Sequence, residues 1–235
     1  MSFLADNLIP IFKKRQLLFK ESYREAEDVR TFVFEKENDL SWKAGQYGLF
    51  TITHKKMKKG TKPFSLSSAP AENVVRITTR IPERPSDFKR ALSELKTGMK
   101  VSMSGPLGPF YLKEQGPVLF VAGGIGITPF RSMLQQLQLT ESQSKRPVKL
   151  LYFDGAQSHI YRSELDGYAA DSAVDVQYLN LRDELHAELD RYATLHADGR
   201  YFVAGPKSMV DAVTVYLHNK KIPKRNIAKD AFFGY

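Results

Sequence analysis

The stretch Val118-Leu-Phe-Val-Ala-Gly-Gly-Ile-Gly-Ile-Thr128-Pro129 determines how the second half of this 235-residue chain is interpreted. Its first residues are uninterrupted and apolar, as in a strand buried on both faces of a sheet. Three glycines follow and allow a backbone turn to approach a ligand closely: Gly123, Gly124 and Gly126. Thr128 as N-cap and Pro129 at the first helical position predict a helix start, whose free N–H groups favour a phosphate. Because Pro129 stands where Gly-x-Gly-x-x-Gly has its third glycine, a nucleotide site and an ordinary turn both remain open.

The rest of the second half continues this alternation of strands and helices. Strands are predicted at Val148–Phe153, Val174–Leu179 and Tyr201–Ala204, and helices near Tyr161–Ala169, Glu184–Leu195 and Ser208–Asn219. This spacing predicts a parallel sheet covered by helices on both faces. A second strand–glycine–helix junction, with Gly205, Pro206 and Met209, would lie at the same carboxyl edge of the sheet, where ligands bind.

The first half has a different pattern, which predicts short strands rich in β-branched and aromatic residues. These strands are predicted at Arg15–Tyr23, Asp28–Glu35, Gln46–Thr53, Phe64–Ser68, Val74–Arg80 and Val101–Gly105. One helix interrupts them, with Ser86 as its N-cap and apolar residues at helical spacing from Phe88 to Leu95. The pattern predicts a small antiparallel barrel over residues 1–115. The α/β domain then occupies residues 116–235, beyond a break at Gln115–Pro117.

Composition excludes several classes of protein. The chain contains no Cys, which excludes disulfides, iron–sulfur ligands and a cysteine nucleophile within it. Its longest apolar runs are far shorter than the about 20 residues of a membrane-spanning helix. In Met1–Arg15 the basic residues follow the apolar ones, the reverse of a secretory signal. The five His residues lack ligand spacing. We therefore expect a soluble cytoplasmic protein with no transmembrane segment and no metal site.

Basic residues are concentrated in the first half of the chain. Residues 1–114 contain 21 Lys+Arg and 13 Asp+Glu, whereas residues 115–235 contain 14 and 13. The densest cluster, His54–Lys62, includes Lys55, Lys56, Lys58 and Lys59. It is either a solvated hairpin loop or a docking surface for an acidic partner. Interleaved aromatic residues and a recognition motif are missing, so nucleic acid is not expected.

Two further segments place aromatic rings beside polar groups. In Lys62-Pro63-Phe64-Ser65, a cation and an aromatic residue on one face of a strand would contact a phosphate and a flat ring. The alternative is an edge strand with a core Phe. The chain ends in Asp230–Tyr235, where the aromatic residues either close a core or place Tyr235 over a ligand.

Taken in order, these segments resemble the ferredoxin–NADP⁺ reductase superfamily of flavoenzymes, and the resemblance extends from Arg15 to Tyr235. Lys62–Ser65 is similar to the family's Arg-x-Tyr-Ser motif, and Gly123–Pro129 to its nicotinamide-dinucleotide loop. Further similar segments are Lys43–Tyr47, Arg80, the helix from Ser86, Lys96–Gly98, Ser104–Gly108 and Ala204–Met209. Three residues depart from the family pattern: Lys62 replaces Arg, Phe64 replaces Tyr and Ala204 replaces Cys.

The resemblance implies an oxidoreductase that takes hydride from NAD(P)H onto FAD and passes electrons to an acceptor. It implies that FAD is bound by Lys62, Pro63, Phe64, Ser65, Arg80 and Ser86. It implies that NAD(P)H is bound by Gly123, Gly124, Gly126, Thr128, Gly205, Pro206 and Met209. Ser65 would form a hydrogen bond near the flavin N5, with Phe64 packed on the ring. Tyr235 would cover the flavin face as a displaceable lid.

The acceptor and the choice of nucleotide follow from charge. We expect an acidic ferredoxin or flavodoxin to dock on Lys55, Lys56, Lys58 and Lys59. The alternatives are a stand-alone diaphorase or ferric reductase for small acceptors, and a flavin-binding electron-transfer subunit of a larger complex. Asp154, directly after the second strand of the α/β domain, suits a ribose diol and favours NADH. Arg162, one helix turn further on, would instead suit the 2′-phosphate of NADPH.

Overall fold

The computed structural model describes residues 13–113, 115–140, 146–171 and 174–232. Two compact units meet in the sequence between Tyr111 and Leu112, four residues before the boundary expected from the sequence. Within the described residues, no helix is both long enough and apolar enough to cross a membrane.

The first unit contains a six-stranded antiparallel sheet with the order β4-β3-β6-β1-β2-β5. Its strands are β1 (Lys14–Ala26), β2 (Val29–Glu35), β3 (Tyr47–Ile52), β4 (Thr61–Ser65), β5 (Val74–Arg80) and β6 (Lys100–Leu107), and helix α1 (Asp87–Ser93) precedes β6. The segment after β4 is joined to β5 because Ser67 N–H donates to Arg76 C=O at 2.9 Å. Arg76 N–H donates in turn to Ser68 Oγ at 3.0 Å. These bonds bring the two edge strands together and produce the expected antiparallel barrel.

The start of β4 differs from the sequence prediction. The strand was expected over Phe64–Ser68, and it spans Thr61–Ser65 because the hairpin pairs further back than the apolar residues indicate. Thr61 lies opposite Thr51 in the antiparallel register. Their hydroxyl groups are 2.8 Å apart. Lys62 and Pro63 are therefore part of the strand rather than of the loop before it.

The second unit is a five-stranded parallel sheet with the order β11-β10-β7-β8-β9. Its strands are β7 (Val118–Gly123), β8 (Val148–Phe153), β9 (Val174–Leu179), β10 (Arg200–Pro206) and β11 (Ile227–Phe232). Its helices are α2 (Thr128–Thr140), α3 (Arg162–Asp171), α4 (Arg182–Leu195) and α5 (Lys207–Asn219). Leu189 of α4 and Val213 of α5 pack in one core with Val121. Phe130 of α2 stacks on Phe120 with the ring centroids 4.7 Å apart. Because Val121 and Phe120 point to opposite faces of β7, helices cover both faces of the sheet.

The strand order reverses beside β7. The strands β8 and β9 lie on one side of β7, whereas β10 and β11 lie on the other. In open α/β sheets, the crevice at the carboxyl ends of the two strands flanking such a reversal is the usual ligand site. The fold therefore brings the ends of β7 and β10 to the position where a ligand is expected. The strand β11 was not predicted, because its half-exposed sequence Ile-Ala-Lys-Asp-Ala-Phe has no clear alternation.

A buried arginine anchors the start of the barrel. Arg15 is 8% exposed. Its guanidinium donates to Asp39 Oδ1 at 2.7 Å and to Glu37 Oε2 at 2.6 Å. The hydrogen bond from Arg15 holds the pKa of the Asp39 carboxyl well below its usual range.

We predict that Asp39→Asn lowers the urea midpoint of unfolding at pH 7 and has a progressively smaller effect at acidic pH. A depressed folded-state pKa stabilises the protein above the unfolded value of about 3.9, and this stabilisation is lost as the pH falls further. Urea titrations of parent and variant at pH 7 and at low pH measure the difference. An equal difference at both pH values would contradict the prediction.

Candidate functional site

Glycines at the carboxyl ends of β7 and β10 allow two turns to touch. After β7, a 3₁₀ turn (Gly124–Ile127) leads directly into α2, while α5 follows β10. A Cβ on Gly126 would overlap the Ala204 carbonyl oxygen and lie 2.6 Å from the Cα of Gly205. Such overlap with backbone cannot be relieved by a side-chain rotation. The turns therefore approach each other this closely only with glycine at position 126.

The neighbouring glycines are constrained by the same contact. A Cβ on Gly123 would overlap the Met209 sulfur and lie 3.2 Å from the Pro206 ring. Gly205 has φ +151°, and a Cβ there would lie 3.0 Å from the Gly123 carbonyl oxygen. The structure thus brings the predicted nucleotide-binding residues Gly123, Gly126, Gly205, Pro206 and Met209 together. Gly124, with φ 50°, begins the 3₁₀ turn beside them.

Thr128 does not cap the helix in the way its sequence position suggests. Its backbone is already helical, at φ −57° and ψ −47°. Its hydroxyl donates to the Ile125 carbonyl at 3.1 Å, and the residue is 2% exposed. The helical backbone starts one turn earlier because the 3₁₀ turn continues straight into α2. Any phosphate at this edge would therefore meet the Gly124–Ile127 turn rather than the Thr128 hydroxyl.

Asp154, at the turn after β8, uses its carboxylate inside the protein. Its oxygens accept hydrogen bonds from Ala156 N at 3.1 Å, Ser158 Oγ at 2.6 Å and His159 N at 3.2 Å. It is only 4% exposed. The carboxylate thus orders its own turn, and its binding of a ribose diol stays a prediction. Arg162 is exposed, and its guanidinium lies 4.3 Å from the ring centroid of Tyr178.

The turn held by Asp154 has an unusual backbone. Gln157, His159 and Tyr161 all have positive φ, at 54°, 35° and 65°. Left-handed conformations are unfavourable for such side chains and persist only where the surroundings impose them. The ring of His159 is buried between Tyr152 and Tyr178, with centroids 5.0 and 5.1 Å away. A buried carboxylate and an aromatic cluster together fix this turn at the carboxyl edge of the sheet.

In the first unit, β4 presents the predicted flavin residues on two faces. Phe64 is 8% exposed and stacks on Phe88 at a centroid distance of 5.7 Å, so it lies in the barrel core. Its position agrees with the alternative that the sequence left open, in which Phe64 is a core residue of an edge strand. Lys62 and Pro63 are exposed, and Ser65 is half-buried on the face opposite Phe64.

Three cations interact here: Lys62 on β4, Arg80 at the end of β5 and Lys89 in the first turn of α1. Arg80 binds Asp28 through two contacts, of 2.8 and 3.0 Å. Burial lowers the pKa of Lys89, and repulsion from Lys62 and Arg80 lowers it further. Ser86 caps α1 as predicted, with its hydroxyl accepting from Lys89 N at 3.4 Å. This cluster favours an anion, because a negative charge would relieve the repulsion between its members.

Lys89 was not assigned a role from the sequence. The available signal was its position three residues after the Ser86 cap, which places it in the first turn of α1. Its proximity to Lys62 and Arg80 depends on how the helix packs on the barrel, which the sequence does not reveal. Tyr235, the predicted lid, lies outside the described residues. Within the described part of the chain, no group of three or more His, Asp or Glu side chains is arranged to hold a metal ion.

We predict that Gly126→Ala destabilises the second unit by about 1–3 kcal/mol, the usual cost of overpacking, because the new methyl group meets the backbone of β10. Gly155→Ala, in the turn after β8, is the matched control, since nothing lies within 4 Å of its added Cβ. The control should change stability by less than about 0.5 kcal/mol. Urea unfolding measures both, and equal effects would refute the proposed contact.

Comparison with known proteins agrees with this architecture. Residues 120–214 match the family model of the oxidoreductase NAD-binding domain. The chain is 29% identical to a subunit of the Na⁺-translocating NADH-quinone reductase of Actinobacillus pleuropneumoniae, with 87% of this chain aligned to 56% of that protein. The chain thus spans just over half the length of this relative.

Solved structures share the fold at low sequence identity. The ferredoxin–NADP⁺ reductase of Plasmodium falciparum superposes with a TM-score of 0.78 at 15% identity, covering 93% of this chain and 96% of that one. The FAD/NAD-binding domain of a nitric oxide dioxygenase from Vibrio cholerae gives 0.74 at 22% identity, covering 93% and 98%. The chain therefore shares the fold of ferredoxin–NADP⁺ reductase, with an antiparallel barrel followed by a domain that matches the oxidoreductase NAD-binding model.

Proposed function

We propose that this protein is an FAD-dependent NAD(P)H oxidoreductase that delivers electrons to a one-electron acceptor. The observation that carries the proposal is the glycine contact at the strand-order reversal, the position where a dinucleotide is expected in such a sheet. Bound FAD would supply the ability to accept two electrons together and release them singly. The protein's own contribution is to bind both nucleotides, orient them and exclude water.

The turn after β7 is the proposed binding site for the NAD(P)H pyrophosphate. Gly124–Ile127 leads straight into the 13-residue helix α2, so backbone N–H groups and the positive helix end act together. We propose NADH over NADPH. With the Asp154 carboxylate engaged in its own turn, the support comes from the relative named as an NADH-quinone reductase subunit. The ratio of kcat/KM for NADH and NADPH decides between them.

The cations around α1 are the proposed site for the FAD pyrophosphate. Lys62 is exposed at the start of β4. Burial lowers the pKa of Lys89 and the charge of Lys62 lowers it further, so an anion placed between the two lysines would be attracted by both. Two phosphates match this cluster better than the single phosphate of FMN, which is why we propose FAD. Heat release of the bound flavin followed by chromatography distinguishes the two, and FMN would refute the assignment.

We propose that the flavin ring binds on the face of β4 that carries Ser65. Phe64 is engaged with Phe88 in the core, so little of its ring is available to a ligand. Ser65 is half-buried on the other face, and we propose that its hydroxyl forms a hydrogen bond near the flavin N5. Tyr235 remains the proposed lid over the flavin. Its deletion is expected to perturb the flavin absorbance and the affinity for NAD(P)H.

The lysine-rich hairpin between β3 and β4 is the proposed docking surface for an acidic electron carrier. Met57 packs against the barrel core, and Lys55 pairs with Glu94 just after α1. These two contacts hold the loop against the barrel, while Lys56, Lys58 and Lys59 stay exposed. An ordered group of like charges steers an oppositely charged partner and binds it weakly enough for turnover.

A second candidate function is an electron-transfer subunit or component of a larger assembly. It is favoured by the curated relative, which is named as a subunit and is longer than this chain. The absence of Cys from these 235 residues means that any iron–sulfur cluster in such an assembly would be held by another chain or segment. Copurification of a stable partner together with poor activity toward small acceptors would favour this candidate.

The basic test of the proposed function is spectroscopic and kinetic. The purified protein should carry flavin absorbance that is bleached by NADH and restored by ferricyanide or by an uncharged quinone. A protein that binds no flavin, or whose flavin is not bleached by either nicotinamide nucleotide, would refute the proposal.

We predict that Lys62→Ala weakens flavin binding by about 1.5–3 kcal/mol, the typical value of a charge-assisted hydrogen bond. Lys56→Ala in the neighbouring hairpin is the control and should leave the flavin dissociation constant unchanged. Equilibrium titration of the flavin-free protein measures both. An unchanged flavin dissociation constant for Lys62→Ala would contradict the prediction and show that Lys62 is a solvated lysine like those of the hairpin.

We also predict that replacing Lys55, Lys56, Lys58 and Lys59 with Gln slows the reduction of an acidic ferredoxin or flavodoxin. The loss should be largest at low ionic strength, because salt screens the same charges in the parent. An uncharged quinone serves as the control acceptor and should react at the parent rate.

A matched variant with Lys220, Lys221, Lys224 and Lys229 changed to Gln removes four exposed positive charges from the second unit instead. It should retain most of the parent activity toward the acidic carrier. Equal losses of this activity in the two variants would show that the hairpin lysines act only through the net charge of the protein. That result would contradict the role of the hairpin as the docking surface.

A further inference from the structure

A continuous row of hydroxyl groups leads from the surface into the wall of the barrel. Thr31 Oγ1 donates to Glu25 Oε1 at 2.6 Å. The hydroxyls of Thr31 and Thr78 are 2.7 Å apart, and those of Thr78 and Ser67 are 3.2 Å apart. The three hydroxyl-bearing residues are 1%, 5% and 0% exposed, respectively. Glu25, at the end of β1, is half-buried and forms the outer end of the row.

The carboxylate gives this row a direction. An ionised Glu25 can only accept, so the single hydrogen of Thr31 is directed toward it. Thr31 can then accept from Thr78, and Thr78 can accept from Ser67. In this arrangement each hydroxyl donates outward, toward Glu25. A row polarised in this way is suited to carry a proton from the interior to the carboxylate by successive hydrogen-bond exchange.

The inner end of the row lies on the face of the chain that carries Ser65. Phe64 and Leu66 both belong to the barrel core. The N–H of Leu66 donates to Gln46, just before β3, and that of Ser67 donates to Arg76 of β5, so the two point to opposite sides as in an extended segment. Ser65 and Ser67 therefore share the face opposite the core. Side chains two residues apart on such a segment are separated by about 6.6 Å, a gap that one water molecule can bridge.

We propose that Ser67, Thr78 and Thr31 form a proton exit that ends on Glu25 and serves the flavin site beside Ser65. The inference rests on the proposed function. Oxidation of NADH yields NAD⁺, two electrons and one proton. The two electrons leave to two one-electron acceptors, and the remaining proton must reach solvent. The row takes this proton at Ser67, and Glu25 releases it to water.

Structural need alone does not account for the full row. Thr31 and Thr78 face each other in the register of β2 and β5 and satisfy one another as a cross-strand pair. The carboxylate adds a base at one end. A purely structural bridge is preserved in Glu25→Gln, since the amide oxygen still accepts from Thr31, whereas proton acceptance is lost. This substitution therefore separates the two roles.

The test follows the proton and the electrons separately in one turnover. Flavin-loaded protein reduced by one equivalent of NADH is mixed with ferricyanide, which accepts electrons without protons. Flavin absorbance reports electron departure, and a soluble indicator dye reports the proton. In the parent the two signals should rise together. In Glu25→Gln and Thr78→Val, the rate of proton release should be at least tenfold lower than in the parent, so that the dye signal lags behind the flavin signal.

Thr79→Val is the matched control, because Thr79 is equally buried on β5 and donates to the Arg80 carbonyl at 3.4 Å, outside the row. It should release the proton as the parent does. Proton release within twofold of the parent in both row variants would overturn the proposal. A lag already present in the parent would overturn it as well. So would a Glu25→Gln variant that loses stability in urea while keeping parent proton release.

A second readout needs no bound flavin. In the flavin-free protein, exchange of the Thr78 hydroxyl proton with water, followed by NMR, should slow at least tenfold in Glu25→Gln and remain unchanged in Thr79→Val. Unchanged exchange in Glu25→Gln would refute the exit. Failure of the parent to bind flavin would refute the proposed function instead, so the two failures are distinguishable.

Discussion

Backbone contact between the turns after β7 and β10 constrains the arrangement of the second unit. Gly126 lies directly against Ala204 and Gly205, with no room for a side chain. Because β7 and β10 flank the reversal in strand order, this contact lies where the sheet opens toward a ligand. The helices α2 and α5 start from the two turns, so their positions depend on the same approach. The glycines at this edge are therefore needed for packing before any ligand is considered.

The first unit depends on a different constraint, the meeting of the two edge strands of its sheet. Hydrogen bonds from Ser67 and to Ser68 connect the end of β4 to β5. This closure leaves Phe64 inside and Ser65 outside, and it brings Lys62 near Lys89 and Arg80. The same strand thus supplies core packing on one face and polar chemistry on the other. The serines that follow β4, Ser67 and Ser68, are fully buried and take part in this closure.

Sequence reasoning recovered the features encoded by local pattern. The buried run before Gly123 predicts a central parallel strand, and the spacing from Phe88 to Leu95 predicts α1 behind its Ser86 cap. What it missed depends on partners distant in the sequence. The burial of Phe64 results from Phe88, and β11 is ordered by pairing with β10. Asp154 has the residue type and position of a ribose ligand, and only the structure reveals that its own turn uses both oxygens. At Thr128 the sequence correctly predicts that a helix follows β7. The helical backbone begins one turn earlier than predicted, in the 3₁₀ turn Gly124–Ile127.

The turn after β8 has a thermodynamic consequence. Gln157, His159 and Tyr161 are already held in left-handed conformations by Asp154 and the surrounding aromatic rings. Fixing the backbone of one residue costs about 1–2 kcal/mol of conformational entropy. For this turn the loss occurs when the chain folds rather than when a ligand arrives. A ligand that docks against it meets a surface of fixed shape, so its binding entropy is that of the ligand and its displaced water, with little contribution from ordering the protein.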